Sequence, residues 1–191
     1  MTARVRAKHG AVYADLERVP DTMVAEIVDG ELFASLRPRP RHAVAASALG
    51  ADLNAPFHQG RGGPGGWWIL GEPELHLDED VLVPDIAGWR RDRLPRMPAE
   101  AFFTLAPDWI CEVVSPHNER HDRERKMPVY AREGVRHAWL VDPLECTLEV
   151  FRLERGAWTA QPTHRGDALV RAEPFEAVEI DLWPVWGESR G

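Results

Sequence analysis

Apolar positions along the chain fall into two periods. Around Asp29-Gly30 the segments Ala25-Glu26-Ile27-Val28 and Glu31-Leu32-Phe33 alternate in polarity and predict a hairpin. Val44, Ala45, Ala48, Leu49 and Leu53 recur three and four apart, which predicts a helix over residues 42–58. The pattern also predicts a short helix over 12–18 and strands over 67–70, 73–77 and 81–89. Residues 90–107 read as loop with a turn of helix near 99–105. Trp109-Ile110-Cys111-Glu112-Val113-Val114 is apolar except for Glu112, as in a strand buried on both faces. Pro116 ends it, Asn118 is placed to cap a helix running towards Glu133, and Gly134 is placed to stop that helix. Strands follow over 137–141 and 147–153, joined by a turn at Asp142-Pro143, and then shorter strands. A strand, a helix and a strand around Glu112 form a crossover unit, so the class is α/β with a mixed sheet.

A chain of 191 residues fits one domain, residues 1–191. Cys111 and Cys146 sit in apolar runs and read as buried free thiols, which fits a reducing cytoplasm. Arg4, Arg6 and Lys8 are not followed by an apolar stretch, and no run approaches the length of a membrane span. The net charge of −8 argues against a tight, non-specific nucleic-acid binder. It leaves room for a nuclease, because acids that hold a metal add negative charge. The cations are clumped as well: Arg37 to His42, then Arg90, Arg91, Arg93 and Arg96, then a third group from Arg120 to Arg136 diluted by acids.

Lys8 and Lys126 are the only lysines among 23 basic residues. Lysine carries a compact point charge that stabilises a single oxyanion, where arginine offers a broad fork. Glu112 is the residue least expected in its setting, since a lone buried carboxylate is costly unless something pairs with it. A hard cation shared with Asp85 is one such partner; an arginine from the following helix is the plain alternative. Magnesium or manganese suits two carboxylates and water, polarises a phosphodiester and activates bound water, and a nearby ammonium stabilises the developing charge.

Val83-Pro84-Asp85, Glu112-Val113-Val114-Ser115-Pro116, Asp122 to Lys126, Tyr130, Gly134-Val135 and Trp139 to Pro143 come in a definite order. Together with Glu26 to Leu32 and Pro40-Arg41-His42, they resemble a bacterial family of restriction-endonuclease-like proteins in the PD-(D/E)xK nuclease superfamily. The resemblance spans a core of about residues 13–186. It implies a restriction-endonuclease-like mixed β-sheet flanked by helices, a divalent-metal site and DNA as substrate. The superfamily's lysine lies two residues after the acid, where this chain has Val114. The resemblance therefore implies a lysine relocated to the next helix, at Lys126. It makes Asp85 and Glu112 metal ligands, the Val113 carbonyl a further ligand, and Glu26 a third acid. Pro128 falls inside that helix, so either the helix kinks or two helices meet.

Other features have plainer readings. Cys111, His117 and His121 lack the companion ligands of a zinc site. Asp122 and Lys126 are spaced as a helix-surface pair, His42 as a helix-start residue, Ser115 as a turn cap, and Tyr130, Trp139 and Asp142 as structural. Trp183 and Trp186 look exposed, which with two-strand cutting points to a homodimer. The expected function is a Mg²⁺- or Mn²⁺-dependent DNA endonuclease. The alternatives are a non-catalytic DNA- or protein-binding module on the same fold and hydrolysis of a small phosphoester.

Overall fold

The computed structural model describes residues 10–36 and 39–187; Arg4, Arg6, Lys8, Arg37 and Pro38 lie outside them. Strands β1 (Met23–Val28) and β2 (Glu31–Leu36) form the expected hairpin. Asp29 and Gly30 both take positive φ, 50° and 73°, as a tight hairpin turn of this hand requires. β1 also pairs with β5 (Asp80–Leu82), which pairs with β4 (Leu75–Leu77), giving a small antiparallel sheet in the order β2-β1-β5-β4.

A larger sheet carries β3 (Trp67–Gly71), β6 (Ile86–Arg90), β7 (Trp109–Val113), β8 (His137–Asp142), β9 (Thr147–Glu154) and β10 (Ala157–Ala160). Its order is β10-β9-β8-β7-β6-β3, and β7 and β8 run parallel while the other neighbours are antiparallel. The expected strand over 81–89 is therefore two strands in two different sheets. Val83-Pro84-Asp85 carries the chain between them, because proline cannot continue a ladder. The expected turn of helix near 99–105 is irregular instead, with Phe103 bridged to Leu75.

All five residues of β7 are buried, as its apolar run foretold. Trp109, Cys111 and Val113 face the layer of α2 (Pro40–Leu53), with Ala45, Leu49 and Leu53. Ile110 and Val114 face the opposite layer, with Tyr130, Met127 and residues of the small sheet. Cys111 therefore points away from His121, and the zinc trio does not assemble. Burial pushes the Cys111 thiol well up, helped by the charges of Asp85 and Glu112. Cys146 is half-buried in the turn before β9 rather than in a strand.

The crossover between β7 and β8 is one helical path with a wide turn inside it. It runs from α3 (Glu119–His121) through a π-turn at Asp122–Lys126 into α4 (Met127–Arg132). The Met127 N–H bonds the Asp122 carbonyl, one residue further back than in an α-helix. That widening makes room for Pro128, whose ring would collide with the preceding turn of a regular helix. Asn118 stands at the helix start, but its Oδ1 accepts from the Ser115 N–H and hydroxyl, both at 2.7 Å. Gly134, at φ 76°, ends the path.

α2 similarly runs on into a π-turn, Asn54–His58, which holds Pro56. Gly50 lies within α2 with ordinary helical φ, and nothing stands within 4 Å of where its Cβ would be. A helix-interior glycine costs about 0.5–1 kcal/mol relative to alanine.

Trp186 is 1% exposed, so the expected surface aromatic at that position is a core residue, packed with α2's face. Trp183 is partly buried. Phe175 seals the same cluster against Phe57, Trp67, Trp109 and Trp139, with ring centroids 4.7–5.6 Å apart. Phe175→Ala should destabilise the protein by about 3–5 kcal/mol, read from denaturant unfolding followed by tryptophan fluorescence.

Candidate active site

The two sheets meet at a buried cluster of charge. Lys126 is 3% exposed, and its Nζ lies 2.8 Å from Glu112 Oε1 and 2.9 Å from Glu26 Oε1. It also reaches the Val83 carbonyl at 3.3 Å and Asp122 Oδ1 at 3.9 Å. Each side chain comes from a different element: Glu26 from β1, Glu112 from β7, Lys126 and Asp122 from the π-turn. Glu26 Oε1 additionally accepts the Val83 N–H at 2.8 Å, tying the small sheet to the chain just before Asp85.

Asp85 sits where β6 begins, beside the end of β7 that carries Glu112 and Val113. Its Oδ2 accepts the Val113 N–H at 2.7 Å and lies 3.3 Å from His42 Nε2. Val113 thus enters the site through its amide. The structure brings together Glu26, Asp85, Glu112, Val113 and Lys126, the five positions singled out in the sequence.

Four further residues belong to the cluster. Tyr130, expected as a core aromatic, donates its hydroxyl to Glu112 Oε1 at 2.6 Å. Asp122, expected on the helix surface, is 2% exposed, and its Oδ2 is buried without a hydrogen-bond partner. His121 Nε2 lies 3.4 Å from Glu26 Oε2, and His42 abuts Asp85. The signal for the helical pair was present: Asp122, Lys126 and Tyr130 are spaced four apart, one stripe of a helix. The contacts of His42 and His121 are long-range, and no local pattern announces them.

The charges are out of balance, four carboxylates around one ammonium. Burial works against ionising Glu26, but Lys126, with His121, overrides it and holds that carboxyl down at about 2. Burial pushes Glu112 up to about 7; Lys126 opposes this, and the charges of Asp85 and Glu26 add to it. Burial likewise raises Asp122 well above the usual range, with Lys126 opposing and Glu112, Glu26 and Asp85 reinforcing. Burial opposes the Lys126 charge, yet Glu112 and Glu26 hold its ammonium firmly protonated. Burial also opposes charge on His42, but Asp85 raises it.

This donor set fits a hard divalent cation. Excess buried negative charge and the orphaned Asp122 oxygen are what such an ion would relieve. Among the described residues no three His, Cys, Asp or Glu side chains already form a coordination group. Two carboxylates completed by water are what magnesium ordinarily takes.

The arginine clusters are largely engaged elsewhere. Arg123 pairs with Glu119 and Glu149, Arg125 with Glu31, and Arg132 with Asp29 and Asp80. Arg93 pairs with Asp108 at 2.8 Å, and Arg90 and Arg91 lie over the Trp67 and Trp68 rings. Arg90 ends the strand that Asp85 opens, about 17 Å away at 3.3 Å per residue, so the 90–96 group does not line the site.

A family model, Uma2, described as "Putative restriction endonuclease", matches residues 12–182. The chain belongs to the Uma2 family. Family membership points to a nuclease and hence to nucleic acid as substrate. The crystal structure of a "putative nuclease belonging to DUF820" from Anabaena variabilis ATCC 29413 superposes with a TM-score of 0.73 at 22% identity. The match covers 93% of this chain and 98% of that one. The Uma2 chain thus has the restriction-endonuclease-like mixed sheet flanked by helices. No curated protein sequence matches it. Among its described residues no helix is long and apolar enough to cross a membrane.

Two outcomes test the geometry. Tyr130→Phe keeps the ring and removes one hydrogen bond to Glu112, so it should cost about 1–3 kcal/mol in denaturant unfolding. Between the ordinary value of 4.5 and about 7, the folded protein keeps a proton on Glu112 that the unfolded chain has released. Stability from this group therefore falls as pH rises through that window and stays low above it. Thermal melts of metal-free native protein and Glu112→Gln should diverge in that window, the glutamine variant losing less; parallel melts would contradict the assignment.

Proposed function

We propose that this protein is a Mg²⁺- or Mn²⁺-dependent endodeoxyribonuclease whose lysine has moved from the acid-bearing strand to the following helix. The observation that carries the reading is Lys126 Nζ held within 3 Å of both Glu26 and Glu112, beside Asp85. Asp85 and Glu112 would hold the ion, with the Val113 carbonyl as a further ligand. Bound there, the ion polarises the scissile phosphodiester and lowers the pKa of its water.

The chain's own groups prepare that event. Val113 N–H and His42 fix Oδ2 of Asp85 and so set the carboxylate's orientation. Tyr130 holds Oε1 of Glu112. Glu26, kept ionised, anchors the Lys126 ammonium at a defined place, where it stabilises charge building on the phosphoryl oxygens. Lys126 remains charged throughout, so it acts as an electrostatic group and transfers no proton.

The burial of Lys126 among three acids also supports a second reading: a nuclease-fold binding module in which these ion pairs hold the helix to both sheets. One assay separates the two. Native protein, Glu112→Ala and Lys126→Ala are incubated with supercoiled and single-stranded DNA and either metal, after circular dichroism has confirmed folding. The nuclease reading expects native cutting and a loss of at least about 100-fold in each variant. Absence of cutting and of metal binding in the native protein would favour the module.

Metal affinity should also rise with pH up to about 7, because the ion must displace the Glu112 proton below that point. Calorimetric titrations at pH 5.5 and 8 in two buffers of different ionisation enthalpy should show proton release at the lower pH only.

A further inference from the structure

Next to the candidate site lies a trough of about 500 Å³. One wall is α2 and the start of its π-turn, from His42 to Asn54; the other is the edge strand β3 with the beginning of β6. His42 and Asp85 mark one end. His42 and Asn54 are separated by about 18 Å at 1.5 Å per helical residue. Spread along that length, the volume makes a trough less than about 10 Å across. Duplex DNA, whose major groove alone is about 12 Å wide, does not enter it; one strand does.

The lining says which side of a strand would face in. It has no lysine or arginine, and its acids, Asp85 and Glu72, are at the candidate-site end. Alanine and glycine leave room between the polar Ser47 and Asn54. Phosphates have nothing to pair with along such a wall, whereas bases find apolar surface and two hydrogen-bonding side chains.

Gly50 adds a separate observation. It lines the trough in mid-helix, its φ is ordinary, and open space stands where a side chain would project. The fold therefore gains nothing from glycine here and the helix is weakened by it. What the glycine preserves is clearance in the trough.

We propose that this trough carries one unpaired nucleic-acid strand away from the Asp85 end, bases inward, so that the substrate is single-stranded or locally unpaired. The proposal rests on the nuclease reading above and adds the strandedness and path of the substrate.

The test uses Gly50→Phe, with Gly50→Ala as control, and fluorescence anisotropy with a short phosphorothioate oligonucleotide, single-stranded or annealed into a blunt duplex. The native protein should bind the single strand at least about tenfold more tightly than the duplex. Gly50→Phe should keep the native melting temperature and magnesium binding while losing at least about tenfold in affinity for the single strand. Gly50→Ala should bind nearly as the native protein does. A native protein that prefers duplex, or a Gly50→Phe variant that binds the single strand unchanged, overturns the trough while leaving the nuclease reading intact. A native protein that binds metal but neither form of DNA overturns both.

Discussion

The structure depends on one buried ammonium. Glu112 lies in a strand covered on both faces, where an unpaired carboxylate would be costly. Lys126 supplies the counter-charge from the crossover helix, and Glu26 meets the same ammonium from the small sheet. Ion pairs of this kind need good geometry and further hydrogen bonds to offset desolvation. Here the Tyr130 hydroxyl and the Val83 backbone supply them. The cluster still carries more negative charge than one lysine can neutralise. The same arrangement that permits burial thus leaves a standing demand for a cation.

Much of this was legible in the sequence because the signals are local. Burial of β7 follows from its unbroken apolar run, the hairpin from Asp29-Gly30, and the helix stop from Gly134. Glu112 stood out because it breaks an apolar run, and Lys126 because lysine is rare in this chain. The family resemblance tied them together in order. The fold class and the central residues emerged from these features.

What was not legible depends on contacts far apart in sequence. Residues 81–89 read as one strand because their apolar character is continuous; only the tertiary arrangement shows that Pro84 passes the chain from one sheet to another. Asp122 reads as a surface residue by composition, and is buried because the π-turn rolls it inward with Lys126. Trp186 looks exposed near the chain's end, yet it closes the core beside α2. His42 reaches Asp85 across an interval no sequence window spans. The arginines of 90–96 look like a DNA-facing cluster until the strand direction puts them at the far end of β6.

The wide turn at Asp122–Lys126 has a consequence for how this site can vary. A helix advances about 100° per residue, so the bulge sets the angular phase of everything after it. Removing one residue from the bulge would swing Lys126 or Tyr130 off the cluster while leaving every side chain chemically unchanged. Length within this segment is thus more tightly constrained than composition on its outer face. Divergent copies should accept exchanges at Arg120 or Glu124 far more readily than a single insertion or deletion between Glu119 and Tyr130.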